Sequence, residues 1–529
     1  MPPLTPGGNQ GLGSWPARRA RMTPDATALR QGDRELTYAQ LAQRSSRLAA
    51  GLAELGVNAG DRVAYLGIND ISTFETLFAT GLLGAVFVPL NTRLTPREVS
   101  YMLRDAGAQT LIVGHGVEQL VDGLATEDTP VETTLTVGSS LEEMIETHPA
   151  LGNALGHALV RLDDPALLLF TSGTTGHPKA ATLTHGNLTW NTVNQLAHFD
   201  IVSSDSALCI APLFHAVGLG QVTLPILFKG GRVEVIPKFD AGVVLDLIER
   251  NHVTSFSGVP TMLQLMTEHP DWPQRDLSSL RYVVYGGSSV PARVAQAWLD
   301  RDVQVLQGYG MTEAGPGIYM ALPDGAREHP VSIGVPHFFT DVAATEGSGV
   351  APLEPGGARA ELLVRGPHVF AGYWGRPEDD DKSQVGGAWF RTGDVVQADE
   401  DGWAYVVDRV KDMLISGGEN VYPAEVEAVA VDLDGIRSAA LVGVPDATWG
   451  EVGVLFVETT NDSTSRPDPE RLREHLRSRL AKFKVPRHIH YVDQLPRNAT
   501  GKIKRTDLRG TALHNQHDLA PVPDPRSTP

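Results

Sequence analysis

Ten residues in the middle of the chain, Thr171-Ser172-Gly173-Thr174-Thr175-Gly176-His177-Pro178-Lys179-Ala180, set four hydroxyls, two glycines and one lysine directly after the apolar run Leu167-Leu168-Leu169-Phe170. The run reads as a buried strand. The loop after it can turn backbone N–H groups and hydroxyls toward an anion, with no Cβ in the way at Gly173 and Gly176. That is chemistry for holding phosphates. A Walker-type loop would place the lysine straight after the second glycine and a Ser or Thr straight after the lysine. Here His177 and Pro178 intervene and Ala180 follows. A glycine-rich loop alone is as easily an ordinary turn, so other segments have to agree with it.

Two more glycine segments follow β-type runs: Tyr285-Gly286-Gly287-Ser288-Ser289 and Gln307-Gly308-Tyr309-Gly310-Met311-Thr312-Glu313. Glycines let backbone come close to a flat purine, and Tyr309 offers an aromatic face. Glu313 is the sole carboxylate of its loop, and a triphosphate needs magnesium held by one or two protein carboxylates. Three segments follow downstream: Phe390-Arg391-Thr392-Gly393-Asp394, Asp408-Arg409-Val410-Lys411-Asp412 and Pro496-Arg497-Asn498-Ala499-Thr500-Gly501-Lys502.

The succession of these segments, from Leu36-Thr37-Tyr38 to Lys502, resembles the adenylate-forming (AMP-binding) superfamily of acyl- and aryl-CoA synthetases, peptide-synthetase adenylation domains and beetle luciferases. It is closest in motif to aryl- or coumarate-CoA ligases. The resemblance implies ATP, Mg²⁺ and CoA as cofactors. Residues 171–176 and Lys179 would hold the phosphates, and Gly286, Gly287, Ser288, Tyr309 and Gly310 would form the adenine pocket. Thr312 and Glu313 would touch the phosphates and the metal. Asp394 would accept from both ribose hydroxyls, which suits an acceptor with two oxygens, and Arg409 would sit near ribose and phosphate. Lys411 would be the hinge, where a few residues absorb the φ/ψ change of a domain rotation. Lys502 would bridge the substrate carboxylate and the α-phosphate, offsetting charge as one anion attacks another. After rotation, Gly417 and Gly418, in Ser416-Gly417-Gly418-Glu419-Asn420-Val421-Tyr422-Pro423, would line a tunnel for the pantetheine arm. Trp449-Gly450-Glu451 and Lys484 are weaker candidates for CoA contact.

The implied reaction is attack by a carboxylate on the α-phosphate of ATP, giving an acyl-adenylate and pyrophosphate, then transfer to the CoA thiol with release of AMP. Positioning and charge neutralisation carry such a step, and no covalent protein nucleophile is needed. Pro212-Leu213-Phe214-His215-Ala216-Val217-Gly218-Leu219-Gly220 resembles the segment lining the acid pocket, with His215 near the carboxylate end. The small residues there would open space for an aryl ring or a short chain. The expected partner is a small-molecule carboxylic acid, aromatic or cinnamate-like in preference to a short-to-medium-chain acid. Two alternatives keep adenylation and change the acceptor: a carrier protein's phosphopantetheine supplied in trans, or nitrite activated for diazotising an aromatic amine. A regulator that has lost catalysis is disfavoured by the joint presence of Lys179, Glu313, Asp394, Arg409 and Lys502. Departures from the family pattern are mild: Phe170 for a frequent tyrosine, Ala180 for a frequent glycine, and His337-Phe338-Phe339 where many relatives have a Pro-Gly turn.

The elements that must position these groups can be read coarsely. Short apolar runs alternate with helical stretches, for example Arg62–Leu66, a helix near Phe74 to Leu83, and Ala85–Leu90, and later Arg232–Ile236, Thr254–Ser257 and Arg281–Tyr285. This argues for an α/β fold of mostly parallel sheets covered by helices, with ligands beyond the carboxyl ends of strands. From about Glu361 the spacing shortens to β-type runs, expected as a distorted β-barrel. A small α+β C-terminal domain, mobile by resemblance, carries helices near Pro423 to Val431 and Glu470 to Leu480. The expected organisation is a poorly ordered tail over 1–20, an N-terminal domain of two helix-covered sheets plus the barrel over 21–410, the C-terminal domain over 411–510 and a second tail over 511–529.

The whole chain bounds the rest. Its 529 residues exceed one core, and a net charge of −19 without a basic block argues against nucleic acid. The single cysteine, Cys209, sits in an apolar run and allows no intrachain disulfide. With no apolar leader and no run of about 18 apolar residues, the expectation is a cytoplasmic protein without membrane insertion. The oligomeric state is not readable.

Overall fold

The computed structural model describes residues 8–152, 158–171, 178–286, 292–325, 327–329, 331–347, 349–409, 412–416, 419–446, 449–460, 467–480, 482–498 and 501–515. The chain divides into two compact units: residues 1–355, 363–392 and 399–404, and residues 356–362, 393–398 and 405–529.

The first unit holds two helix-covered sheets. One runs, in spatial order, through Thr133–Thr136, Thr110–Val113, Arg62–Leu66, Val86–Leu90, Pro165–Thr171 and Lys179–Thr184. All its pairs are parallel except the last. Val86–Leu90 is buried throughout and Arg62–Leu66 is buried from Val63 on, as strands covered on both faces must be, hence the apolar runs Val86–Leu90 and Val63–Leu66. The other sheet has a parallel centre of Gln304–Tyr309, Tyr282–Tyr285, Ser255–Gly258, Ser206–Cys209, Arg232–Val235 and Thr27–Gln31, with antiparallel strands at both edges. Its core packs Phe256, Tyr285 and Val283 against the helices Ala241–Asn251, Pro260–Thr267 and Ala292–Leu299, the last contributing Trp298. A further antiparallel sheet, the half-barrel, contains Asp341–Glu346, Ala360–Arg365 and Trp389–Ala398.

The expected first tail does not hold for residues 8–20. Leu12–Ser14 forms one 3-10 turn and Trp15–Ala20 a helix, and Leu12 and Trp15 are buried. The ring of His185 holds this segment, its Nδ1 accepting from the backbone N–H of Leu12 at 3.2 Å, while Trp15 meets Phe228 edge to face. The glycine and proline content that suggested a tail serves close packing: a Cβ on Gly13 would lie 2.2 Å from the backbone of Gly81. The expected second tail does not hold for residues 511–515, which belong to the helix Arg505–Asn515.

In the second unit the long antiparallel pair Ile436–Asp446 and Gly450–Thr459 is flanked by Leu414–Ser416 and, in parallel, by His488–Val492. The helices Pro423–Val431 and Pro469–Arg477 cover it through Val426, Ala430, Leu472 and Leu476. Asp468 caps the latter by accepting from the N–H groups of Glu470 and Arg471. Among the described residues no helix is long and apolar enough to cross a membrane. Cys209 is buried, and burial pushes its thiol up to about 12, so it is a packing residue rather than a nucleophile.

Candidate active site

The strand Pro165–Thr171 ends at Thr171 and the chain returns antiparallel at Lys179, the two residues facing each other in register. The returning strand Lys179–Thr184 is then edged by residues 371–374: the N–H of Ala371 reaches Thr182 O, the N–H of Thr182 reaches Gly372 O, and the N–H of Trp374 reaches Ala180 O. This ladder sets Tyr373 beside Lys179, with Nζ 5.4 Å from the ring centroid. The phenol of Tyr373 donates to Glu313 Oε1 at 2.9 Å, and the N–H of Phe370 donates to Glu313 O at 2.8 Å. One aromatic side chain thus joins the ammonium of Lys179 to the carboxylate of Glu313. Burial and the charge of Glu313 raise the phenol well above its usual range, which keeps it a neutral donor.

Glu313 lies in the single 3-10 turn Thr312–Ala314, which Gly315 closes in the left-handed conformation at φ 46°. The turn begins just past Tyr309, the last residue of Gln304–Tyr309. Gly310 is sterically required: a Cβ there would stand 2.1 Å from Pro316 O. Tyr309 is largely buried and packs edge-on against Tyr319. At Gly286 and Gly308 the room left by absent Cβ atoms is taken by the buried amide of Gln221, whose Nε2 would meet those Cβ positions at 3.2 and 2.8 Å.

His215 stands at the position before the short helix Ala216–Gly220, half-buried, its ring edge-on to Phe214. Asn69 fixes the turn before it, accepting from the N–H of Leu213 and donating to Ala211 O and Ile236 O. The glycines here act differently from the expectation. A Cβ at Gly218 would sit 2.3 Å from Pro212 O, and one at Gly220 2.7 Å from the Pro316 ring, so these residues let segments close on each other rather than leave space.

Asp394, in Trp389–Ala398, is buried and belongs to the second unit, as do Arg409, which ends Ala404–Arg409, and Lys502. Lys502 is exposed on a tight loop. Its N–H donates to Asn498 Oδ1 at 2.9 Å, the N–H of Asn498 donates back to Lys502 O, and Gly501 adopts φ 82°. Ser172, Gly173, Thr174, Thr175, Gly176, Gly287, Ser288, Lys411, Gly417 and Gly418 lie outside the described residues.

Sequence reasoning missed Tyr373 and Asp379, which forms an ion pair with Lys179 at 3.0 Å. Neither stands in a spacing pattern with its partner. Tyr373 lies 60 residues beyond Glu313, and only the strand-edge ladder brings it back. The site fits magnesium chemically: a buried carboxylate with one oxygen held by a phenol matches an ion that takes one or two protein carboxylates and otherwise phosphates and water.

Comparison with known proteins identifies the family. Residues 16–374 match the model of the AMP-binding enzyme family and residues 425–502 that of the AMP-binding enzyme C-terminal domain. The chain is similar to a feruloyl-CoA synthase of Amycolatopsis sp., 49% identical over 501 residues, 95% of this chain and 99% of the relative. It is 38% identical to an indoleacetate–CoA ligase of Aromatoleum aromaticum, over 94% of this chain and 97% of the relative. Among solved structures it resembles the o-succinylbenzoate CoA synthetase of Bacillus subtilis in complex with ATP and magnesium ion, with TM-score 0.83, 31% identity, and 95% of this chain and 99% of that one covered. The family-model match over residues 16–374 and these full-length relatives place the chain in the AMP-binding, adenylate-forming enzyme family, among the AMP-forming acid–CoA ligases.

Proposed function

We propose that this ligase activates an aromatic carboxylic acid of the hydroxycinnamate or arylacetate kind and passes it to CoA. The observation that carries the nucleotide half is the joining of Lys179 and Glu313 through Tyr373, which presents a cation for phosphate and a carboxylate for its metal on one side chain. The aromatic preference is supported by the relatives named for ferulate and indoleacetate.

In this reading residues 171–176 and Lys179 hold the triphosphate. Gly286, Gly287, Ser288, Tyr309 and Gly310 receive the adenine, and Asp394 and Arg409 the ribose. Thr312 and Glu313 would hold Mg²⁺, which when bound neutralises phosphate charge. His215 lies at the carboxylate end of the acid pocket, and Lys502 bridges carboxylate and α-phosphate. Lys411 serves as the hinge, and Gly417 and Gly418 border the pantetheine path. The thiol is that of CoA, with a carrier protein in trans as the competing acceptor, and the site of action is the cytoplasm.

Mass spectrometry of products from ATP, magnesium and a panel of aromatic and aliphatic acids, with and without CoA, tests the reading. Aryl-CoA and AMP forming only with CoA and only from aromatic acids is the expected result. Turnover of fatty acids in preference to aromatic ones, or AMP release indifferent to CoA, would overturn it.

A further inference from the structure

The cation that the phosphate loop delivers already has a partner. Lys179 Nζ lies 3.0 Å from Asp379 Oδ2, and the two side chains are only 12% and 22% exposed. Asp379 sits on the short helix Pro377–Ser383, which is anchored on both sides of the lysine. On one side Arg376 Nη2 donates to Asp105 Oδ1 at 2.6 Å and to the hydroxyl of Tyr101 at 2.9 Å, and that hydroxyl donates to the carbonyl of Pro178, the residue before Lys179, at 3.3 Å. On the other side Asp380 Oδ1 accepts from the N–H of Tyr373, whose ring flanks Lys179. The carboxylate is therefore held at the lysine by structure around both of them. It is not a free side chain that happens to reach it.

An ion pair this little exposed is costly to break on one side only, because the remaining charge loses its partner. A phosphate that binds Lys179 must either displace Asp379 or share the ammonium with it, and a second anion nearby opposes the incoming one. We propose that Asp379 is the resident counter-ion of Lys179, a positioning residue that holds the ammonium in place while no nucleotide is bound and weakens triphosphate binding by competing for it. The proposal rests on Lys179 being a phosphate ligand. It also gives pyrophosphate an exit, since Asp379 retakes the lysine as the product leaves.

The experiment is calorimetric titration of the full chain with ATP and, separately, with pyrophosphate, in the absence of acid substrate. D379N should bind both about fivefold more tightly, the scale of a partly exposed ion pair. D379E, which keeps a carboxylate within reach, should bind like wild type. In a K179M background D379N should have no effect. Weaker or unchanged binding by D379N, or the same gain with Lys179 absent, would overturn the counter-ion role. A merely structural contribution of Asp379 would lower the melting temperature of D379N without tightening ATP. If ATP fails to bind even the wild-type chain, the nucleotide site itself falls and the counter-ion with it.

Discussion

Replacing Tyr373 by Phe removes one oxygen and leaves the ring. The lost group is the donor to Glu313 Oε1 at 2.9 Å, while the ring contact to Lys179 and the edge-on packing with Phe370 remain. A hydrogen bond to a charged group contributes about 1.5–3 kcal/mol, and its loss falls on a carboxylate that is only 6% exposed and so poorly compensated by water. At about 1.4 kcal/mol per factor of ten, Y373F should slow adenylation about 10- to 150-fold. The assay is ATP–pyrophosphate exchange driven by a good acid, run across a magnesium titration, because a loosened Glu313 should raise the metal requirement as well as lower the rate. Tyr373→Leu, which also removes the ring beside Lys179, should be worse and should weaken ATP binding too. Exchange by Y373F within twofold of wild type, with an unchanged magnesium dependence, would refute the claim that the phenol orients Glu313.

Gly310→Ala would drive a Cβ to 2.1 Å from Pro316 O, where backbone must move; thermal unfolding should show a loss of about 1–3 kcal/mol and ATP affinity should fall, whereas Gly152→Ala, which meets nothing within 4 Å, should change neither. Burial lowers His185 and His368 from the usual 6.5 to about 4, with Asp164 pulling weakly the other way at His185. The unfolded chain therefore takes up these protons first, so stability is lost as pH falls from about 6.5 toward 4, by up to about 3 kcal/mol for each histidine; denaturant melts across that range should flatten in His185→Asn and His368→Asn. Lys502→Ala should cripple adenylation yet largely spare thioester formation from a supplied acyl-adenylate, measured by coupled release of AMP, and equal loss of both steps would contradict the separate role of that loop.

The parts of the fold that were legible share one property: their patterns are local. Arg62–Leu66 and Pro423–Val431 appear where the runs of apolar residues and the proline-led helix start place them, because burial on both faces and a proline in the first helical turn leave direct marks in sequence. Glu313 and Lys179 could be singled out in the sequence because glycines and hydroxyls surround them. What was not legible depends on long-range pairing. Residues 8–20 read as a tail because small residues suit close packing as well as disorder, and only the ring of His185, far along the chain, decides between the two. Gly218 and Gly220 read as pocket space for the same reason, and the segments they admit are Pro212 and Pro316. Tyr373 and Asp379 carry no motif; an edge ladder and an anchored short helix bring them to the site.

The most direct test of the account follows one oxygen atom. With the acid substrate labelled with heavy oxygen in its carboxylate, and ATP, magnesium and CoA supplied, attack on the α-phosphate leaves one labelled oxygen in AMP after the thioester forms. Mass spectrometry showing AMP with one heavy oxygen, and unlabelled pyrophosphate, is the result predicted. Label appearing in orthophosphate, with ADP as the nucleotide product, would contradict the adenylate and with it the assignment of this site.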